Sequence, residues 1–384
     1  MKILVISNVC TEPVISGNSR LITSYCNQLK EQGHEIHYLL VERHLLRKSQ
    51  RLAYKKGKEL TEKKWGKNFH LYKYSLWENF RSNFLIIFRK FFCHNFRNID
   101  DLYANGISQK YLQLETLYNF DAVIVNYFYL SKVLNYVNTK KKALLTHDSF
   151  SMYPKGHKAI FYLTQENERR ALLRAPYIFA VQEEEATFFK KLVPENKVLT
   201  TYIKLPFTNQ PAVYNHNIVY LSGASQFNKD GLDWFIQKVF PELKLRYHDI
   251  KLKIAGSICK MLNDYSNDPC IELVGRIDNP SDFFSKADIA INPTLQGTGL
   301  KIKTMESLAY GKVTITTIHS STGLYNRKSS PIISSDTPSD WIATISYLWD
   351  NKKALLSKKT EIQSYINEMN KYIDQQYNIF LQGK

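Results

Sequence analysis

The stretch GTGLKIKTMESLAYGK, from Gly297 to Lys312, follows an apolar run, ADIAINP, and precedes a second one, KVTITT. Glycine at positions 297 and 299 lets backbone N–H groups approach a ligand without an intervening Cβ. The helical pattern behind the turn begins near Lys301, and a helix N-terminus favours a phosphate. The stretch therefore predicts an anion site between a buried strand and a helix. A plain strand–helix turn with exposed lysines and a surface glutamate explains the same residues equally well.

Charged side chains follow the glycine turn at short intervals. Lys301 and Lys303 add positive charge, whereas Glu306 lies one helical turn further on. A carboxylate there cannot serve a phosphate, but it can accept hydrogen bonds from sugar hydroxyls. The combination suits a diphosphate joined to a ribose, as in a nucleotide sugar. It is not the dinucleotide pattern G-x-G-x-x-G, because that spacing follows the first strand of neither half of the chain.

Strand and helix patterns alternate twice along the chain. The first half begins with KILVISN, LITSYCNQLKEQGH and EIHYLLVE, and the second half repeats the order with NIVYLSG, GLDWFIQKVFPEL and IKLKIAG. Continuous apolar strands separated by helices indicate parallel sheets covered on both faces. The sequence therefore predicts two doubly wound α/β domains. The linker between them is expected in the proline-containing stretch from Thr201 to Asn215.

Composition limits the partners and the location of the protein. The 384 residues include 52 Lys and Arg against 35 Asp and Glu, a formal net charge of +17, which favours anionic partners. The five cysteines are scattered and form no C-x-x-C pair, so a reducing compartment is expected. No segment resembles a signal peptide, and no apolar run approaches the ~20 residues of a spanning helix. We expect a cytoplasmic protein.

One basic region interrupts the alternation. From Arg43 to Asn98 the chain carries fifteen Lys and Arg, three Glu and twelve aromatic residues, and so supplies +12 of the net charge. Its position between two strand patterns predicts a helical insertion in the first domain. Within it, FLIIFRKFFCHNF (84–96) places apolar residues on one helical face and basic residues largely away from the centre of that face. The apolar residues are Phe84, Ile87, Phe88, Phe91 and Phe92, and the basic ones are Arg81, Arg89, Lys90, His94 and Arg97.

Such a helix suits an anionic membrane surface, with the lysines from Lys55 to Lys67 extending the positive patch. In the alternative, the phenylalanines pack onto the first domain and the charges are simply solvated.

Most of the chain resembles the GT-B glycosyltransferases, and more narrowly the family-4-type, group 1 retaining sugar transferases. The resemblance is carried by SGNSRLITSYCNQLKEQGHEIHYLL, by LSGASQFNKDGLDWFIQKVFPEL and, most specifically, by IELVGRIDNPSDFFSKADIAINPTLQGTGLKIKTMESLAYGKVTITT. It implies the GT-B fold, with two Rossmann-like domains facing each other across a cleft. The implied domains are residues 1–207 on the acceptor side, with the insertion 43–98, residues 208–367 for the nucleotide sugar, and a C-terminal helix, 368–384, that packs back on the first domain.

The resemblance also implies the reaction. It predicts transfer of a sugar, with retention, from a UDP- or GDP-sugar to a glycan or a lipid-linked acceptor, in the synthesis of bacterial cell-surface polysaccharide or lipopolysaccharide. No metal and no other cofactor are expected, since the chain has no Asp-x-Asp motif, and no nucleic acid is expected as a partner. A nucleotide-sugar 2-epimerase of the same fold is one alternative. A non-enzymatic basic protein that binds membranes or nucleic acid is another.

The resemblance assigns site residues in the second domain. Glu306 corresponds to the second glutamate of the family motif, which holds the ribose. The first glutamate of that motif would fall at position 298, where this chain has Thr298, so the chain resembles the subset with G-x-G-x-K-x-K instead. Lys303 would offset the diphosphate charge, and Lys229 is a second phosphate-binding candidate. The remaining predicted donor contacts are Gly223, Gly275, Arg276, Gly297, Thr298, Gly299 and Leu300.

Three further candidates lie in the first domain. Gly17 belongs to the first strand–helix turn, on the side that faces the cleft. His147 and Asp148 end a strand in LLTHDSF and match the family's His-Asp pair near the acceptor. Ligands bind outside the carboxyl ends of strands in open α/β sheets, which favours a functional role, although a single histidine is also a common structural residue. With Lys303 and Glu306, these two residues form the predicted catalytic set.

Overall fold

The structure, a computed structural model, describes residues 1–14, 16–43, 48–93, 98–152, 163–297 and 300–383, with the side chains of residues 48–50 outside that description. The chain divides into two compact units. The first unit comprises Met1–Lys204 and Ile373–Lys384, and the second comprises Leu205–Tyr372. Each unit is built around one parallel sheet, so the predicted pair of doubly wound α/β folds is confirmed.

The first unit contains a seven-stranded sheet in the order β3-β2-β1-β4-β5-β6-β7. All neighbouring strands are parallel. Burial on both faces explains why the central strands read as unbroken apolar runs. The strands are β1 (Lys2–Ser7), β2 (Glu35–Glu42), β3 (Phe69–Lys73), β4 (Ala122–Asn126), β5 (Lys142–Leu145), β6 (Tyr177–Ala180) and β7 (Lys197–Thr200).

In the described residues up to Lys204, six α-helices alternate with these strands. Ser16 caps the first of them, because its side chain accepts a hydrogen bond from Ser19 N at 3.1 Å while Ser19 Oγ accepts one from Ser16 N. The helices are α1 (Gly17–Glu31), α2 (Lys48–Trp65), α3 (Leu76–Phe92), α4 (Asn105–Tyr118), α5 (Gln165–Leu172) and α6 (Glu183–Leu192).

The basic region differs from the predicted helical insertion. It holds α2 and α3, but also β3, which pairs with β2 from Tyr38↔Phe69 to Glu42↔Lys73. The region is thus part of the sheet, with α2 as the crossover between two parallel strands. Sequence patterning missed β3 because its five residues, FHLYK, show neither alternation nor a wholly apolar run, and they lie half-buried at the sheet edge.

The second unit contains a six-stranded sheet in the order β10-β9-β8-β11-β12-β13, again entirely parallel. Its strands are β8 (Asn217–Leu221), β9 (Lys251–Ala255), β10 (Ile271–Gly275), β11 (Ile289–Asn292), β12 (Val313–Thr316) and β13 (Ile333–Ser334). Its helices are α7 (Gln226–Lys238), α8 (Phe240–Arg246), α9 (Pro280–Phe284), α10 (Ile302–Ala309), α11 (Pro338–Asp350) and α12 (Lys352–Gln382).

The last helix, α12, begins in the second unit, and its final turns belong to the first. Two buried aromatic side chains anchor those turns inside the first unit. Tyr377 lies 6.2 Å from Tyr25 and 5.3 Å from Phe179, measured between ring centroids, and Phe380 lies 5.2 Å from Phe179. A parallel sheet also brings all its strands to the same carboxyl edge, and there the candidate residues of each unit lie.

Candidate active site

The glycine turn lies at the carboxyl edge of the second sheet, between β11 and α10. Gly297 has φ 139°, which favours glycine, and a Cβ there would lie 3.9 Å from His319 Nε2. Thr298 and Gly299 lie outside the described residues, so their predicted ligand contacts stay predictions. Leu300 follows them and is half-buried. The turn therefore brings backbone and an imidazole together at the start of α10.

Lys303, in the first turn of α10, is the central cation of this edge. Its Nζ donates to Asn228 Oδ1 at 2.6 Å and Thr294 Oγ1 at 2.9 Å, and it lies 3.4 Å from Tyr220 OH. Burial, followed by the positive charge of Lys301, lowers the Lys303 pKa to about 7. These three hydrogen-bond partners are all neutral groups. None of these three contacts is a carboxylate, so the amine is oriented without an ion pair, and its protonated form can bind an anion.

A hydrogen-bonded network holds the surroundings of Lys303 in place. Asn292 Nδ2 donates to Thr304 Oγ1 at 2.8 Å, and Thr294 Oγ1 lies 2.9 Å from Asn292 Oδ1. The Ser320 hydroxyl donates to the Thr294 carbonyl at 2.8 Å. All four side chains are buried, so each bond is made in a low-dielectric environment. The network joins the ends of β11 and β12 to α10 and so fixes the amine's partners before any ligand binds.

A lysine and a histidine form a second pair at the same edge. Lys301 Nζ lies 3.1 Å from His319 Nε2. Burial and the neighbouring Lys301 lower the His319 pKa to about 4, so the imidazole is neutral near pH 7 and can accept a hydrogen bond from the ammonium group. Two lysines and the glycine turn thus converge where α10 begins. This arrangement can bind a diphosphate.

The carboxyl edge of the first sheet has a neutral centre, His147. Its φ is 65° and that of Tyr127 is 71°, both rare for residues other than glycine. The two rings stack with centroids 4.1 Å apart, and His147 Nε2 lies 3.0 Å from Asn126 Oδ1. Burial lowers the His147 pKa to about 3. Nδ1 has no hydrogen-bond partner among the described residues. A neutral imidazole with one ring nitrogen uncommitted can bind a polar, uncharged group.

Two buried glutamates support the turn that follows His147. Glu168 accepts hydrogen bonds from Phe150 N at 2.9 Å and from Ser151 N at 3.0 Å. The pKa of Glu185 is raised well above its usual value, by burial first and then by Asp148. Sequence patterning did not single out either glutamate, because each lies on a helix distant in sequence from the strand it supports. Their place in the fold is to position the residues after β5.

One family model matches part of the second unit. Residues 215–351 match the model described as Glycosyl transferases group 1. This part of the chain is therefore similar to the group 1 glycosyl transferases. The matched residues include β8, β11, the glycine turn and α10, so they hold both lysines of the anion site. No curated protein matches the chain.

Solved structures of low sequence identity share the fold over the whole chain. TarM from S. aureus, solved with UDP and alpha-GlcNAc-glycerol, has a TM-score of 0.63 at 10% identity, covering 99% of both chains. Sucrose-phosphate synthase from Thermosynechococcus elongatus has a TM-score of 0.63 at 12% identity over 100% of both chains. The pneumococcal O-GlcNAc transferase GtfA, solved with UDP and GlcNAc, has a TM-score of 0.64 at 9% identity, covering 100% of this chain and 99% of its own. The fold is GT-B.

Three of the predicted donor residues lie on α10, on α7 or just before α7. Glu306 lies on the second turn of α10 and is buried. The Gly223 carbonyl accepts a hydrogen bond from Asn228 Nδ2 at 2.9 Å, and the same Asn228 side chain accepts one from Lys303. Lys229 instead forms an ion pair with Asp233 at 2.6 Å, which raises the lysine pKa. The three roles stay predictions, but Lys229 has a carboxylate partner within its own helix.

Three other predicted donor or cleft residues lie elsewhere. Gly275 ends β10 with φ 75°, and no other group lies within 4 Å of a Cβ placed there. The Arg276 side chain is 87% exposed and lies 3.7 Å from Asp278. Gly17 opens α1 and is exposed. The structure thus leaves room for a ligand at all three, and their roles stay predictions.

The residues that hold the Lys303 amine were not predicted from the sequence. Tyr220, Asn228 and Thr294 come from β8, α7 and the loop after β11, and no spacing in the sequence connects them. His319 lies in a 3₁₀ turn after β12. The sequence held one weak indication of these four residues. Each of them lies at or just beyond the carboxyl end of a strand, or in the helix that follows it. The order of strands in the sheet places β8 beside β11, and this brings the four side chains together.

Proposed function

We propose that this glycosyltransferase transfers a sugar from a UDP-sugar to a glycan or a lipid-linked acceptor, with retention of anomeric configuration. The observation that carries the proposal is the Lys303 amine, oriented by three neutral groups beside the glycine turn. UDP appears in the described complexes of TarM and GtfA, which supports UDP over GDP. The proposed context is the synthesis of bacterial cell-surface polysaccharide or lipopolysaccharide in the cytoplasm. Five unbridged cysteines are compatible with that compartment.

The proposed chemistry is stabilisation of a leaving diphosphate. Breaking the bond between the sugar and the diphosphate places negative charge on the departing oxygen. The Lys303 ammonium, the backbone of the glycine turn and the start of α10 would stabilise that charge. Lys301 adds a second cation. Since the protein itself supplies this positive charge, we propose that transfer needs no metal ion and is unaffected by a chelator.

The remaining proposed roles follow the two sheet edges. Glu306 would accept hydrogen bonds from the ribose hydroxyls of the donor. His147, with its uncommitted Nδ1, would bind a hydroxyl of the transferred sugar or of the acceptor, and Asp148 would contribute beside it. A neutral imidazole suits such a contact because it can donate or accept without carrying charge.

Two measurements test the proposed function. Thermal unfolding with UDP, GDP and a set of their sugar derivatives should show stabilisation by UDP compounds, since a ligand that binds only the folded state raises its stability. Proton NMR of the reaction mixture should then show the product anomer matching the donor anomer. Conversion of the donor into its 2-epimer without an acceptor would establish epimerisation and refute transfer. Stabilisation by no nucleotide would refute the donor site.

Glu306→Ala tests where the nucleoside lies. Loss of a hydrogen bond to a charged group should weaken UDP binding by about 1.5–3 kcal/mol, measured by calorimetry. Glu242→Ala, an exposed glutamate on α8, is the matched control and should leave binding unchanged. Equal UDP affinity in wild type and Glu306→Ala would show that the nucleoside is placed wrongly.

A further inference from the structure

Helix α3 presents its apolar face to solvent. Among the described residues, every exposed phenylalanine and tryptophan lies on this one helix. Trp77 is 71% exposed, and most of the other side chains of this face are exposed by 57–88%, with Phe88 at 40%. The face, named here the α3 aromatic face, consists of Leu76, Trp77, Phe80, Phe84, Ile87, Phe88, Phe91 and Phe92. Contiguous apolar surface of this kind marks an interaction site.

The polar side of the same helix packs against the first unit. Asn79 and Ser82 are buried. Arg43 donates from Nε to Ser82 Oγ at 3.2 Å, and Arg89 Nε forms an ion pair with Asp101 at 3.0 Å. The helix is therefore amphipathic, but its polar side contacts the protein and its apolar side faces solvent. This is the reverse of a surface helix in a globular protein. Against the part of the first unit that the structure describes, the phenylalanines of α3 stay exposed, which contradicts the packing alternative left open by the sequence.

Ring contacts keep the α3 aromatic face continuous. Trp77 and Phe80 stack at 5.7 Å between centroids, and Phe88 stacks on Phe92 at 5.0 Å. Lys90 Nζ lies 5.9 Å from the Phe91 ring centroid, so a cation borders the face. With 17 residues, α3 extends over about 25 Å. No helix of the described residues is long and apolar enough to cross a membrane.

Charge decides which partner covers this face. The region from Arg43 to Asn98 carries fifteen basic and three acidic residues. A second copy docked on α3 would bring two such regions together. Helices pack with axes roughly 8–10 Å apart, which is comparable to the screening length of about 8 Å at physiological salt, so their repulsion would be felt. An anionic lipid surface instead offers headgroup charge to the cations and a boundary layer to the aromatic rings.

We propose that the α3 aromatic face lies in the headgroup boundary of an anionic bilayer, with the helix parallel to the membrane plane. Trp77 and the five phenylalanines of the face insert among the upper acyl chains. Lys90, which borders the face, contacts lipid phosphates. The inference is independent of which donor the enzyme uses, because no residue of the anion site takes part.

Vesicle binding tests the aromatic half of the proposal. Wild-type protein should co-sediment with vesicles of equal parts phosphatidylcholine and phosphatidylglycerol. Phe80→Ser, Phe84→Ser and Phe91→Ser combined should weaken partitioning by at least about tenfold per phenylalanine. Leu117→Ser, a 73% exposed apolar residue of α4, is the matched control and should bind as wild type does. Unchanged thermal unfolding and UDP binding in the triple variant would show that the fold and the anion site are intact.

A charge reversal tests the electrostatic half. Lys90→Glu should lower partitioning severalfold, and so should added salt, because both act on attraction to anionic lipid. Lys190→Glu makes the same change in net charge on the last turn of α6 and should bind as wild type does. Arg89 is unsuitable for this test because its ion pair with Asp101 holds α3 in place.

Insertion of Trp77 gives a direct readout. On binding, its fluorescence should shift to shorter wavelength and be quenched by brominated lipid, and Trp77→Phe should abolish both signals. Absence of binding to anionic vesicles at low salt would overturn the proposal. So would equal binding to pure phosphatidylcholine, or a dimer in solution that the triple serine variant converts to a monomer without loss of vesicle binding.

Discussion

The carboxyl edges of the two sheets hold different kinds of polar centre. In the second unit the centre is an amine, Lys303, with neutral hydrogen-bond partners. In the first unit it is an imidazole, His147, stacked on Tyr127 and kept neutral by burial. Burial lowers both pKa values, but only the amine lies near its titration midpoint at neutral pH. The same fold thus builds one edge suited to an anion and one suited to an uncharged polar group.

The largest effect is expected from removing the amine. Lys303→Met should weaken UDP binding by about 1.5–3 kcal/mol, since a hydrogen bond between charged groups is lost. It should also stabilise the protein near pH 7, because a buried and incompletely compensated charge is removed. Calorimetry and urea unfolding measure the two effects. Lys238→Met, at an exposed lysine in the last turn of α7, is the matched control and should change UDP binding little. If Lys238→Met weakens binding more than Lys303→Met, the anion site is misassigned.

The pH dependence of donor binding is the next effect in size. The free amine has a pKa of about 7, and a bound diphosphate raises it, so binding takes up a proton above that pH. UDP affinity should therefore fall by up to about tenfold per pH unit above about pH 7. Titration calorimetry between pH 6 and 9 measures this slope. In Lys303→Met the slope should vanish, and a persistent slope there would mean that another group titrates.

A smaller effect is expected where α7 meets the loop after β11. A Cβ at Gly231 would lie 2.3 Å from the Pro293 carbonyl oxygen, a clash with backbone. Gly231→Ala should destabilise the protein by about 1–3 kcal/mol and weaken UDP binding, because α7 carries Asn228 to the amine. Gly223→Ala is the control for stability, since its Cβ would be 3.9 Å from Ser257 Oγ. Equal urea midpoints for the two variants would contradict the close approach.

The last effect concerns the neutral edge and is seen only in acid. The folded His147 has a pKa of about 3 against about 6.5 unfolded, so the unfolded chain binds more protons between these values. Stability is therefore complete above pH 6.5 and falls as the pH drops towards 3. His147→Asn, which tolerates the positive φ, should make the urea midpoint fall less steeply between pH 6.5 and 4. Other histidines also have lowered pKa values, so part of the dependence of stability on pH should remain in this variant. Identical slopes would show that His147 is not held neutral.

The sequence alone determined the alternation of strands and helices, and therefore two doubly wound sheets. It also indicated the glycine turn with Lys301 and Lys303, because residues within one short segment share one local structure. It predicted a helix with a phenylalanine face over residues 84–96, since a spacing of three and four residues defines a face without any partner. The structure confirms this helix as far as Phe92, whereas His94 and Arg97 of the predicted basic side lie outside the described residues.

Only the tertiary structure decided which groups meet. Tyr220, Asn228 and Thr294 reach Lys303 because β8 lies beside β11 in the sheet, an adjacency that no local pattern encodes. The direction of the α3 aromatic face was also beyond the sequence. A helical pattern gives the angle between two faces, but which face contacts the protein depends on the pairing of Arg43 and Asp101 with its polar side. Long-range contacts of this kind are fixed by packing, and packing is a property of the whole fold.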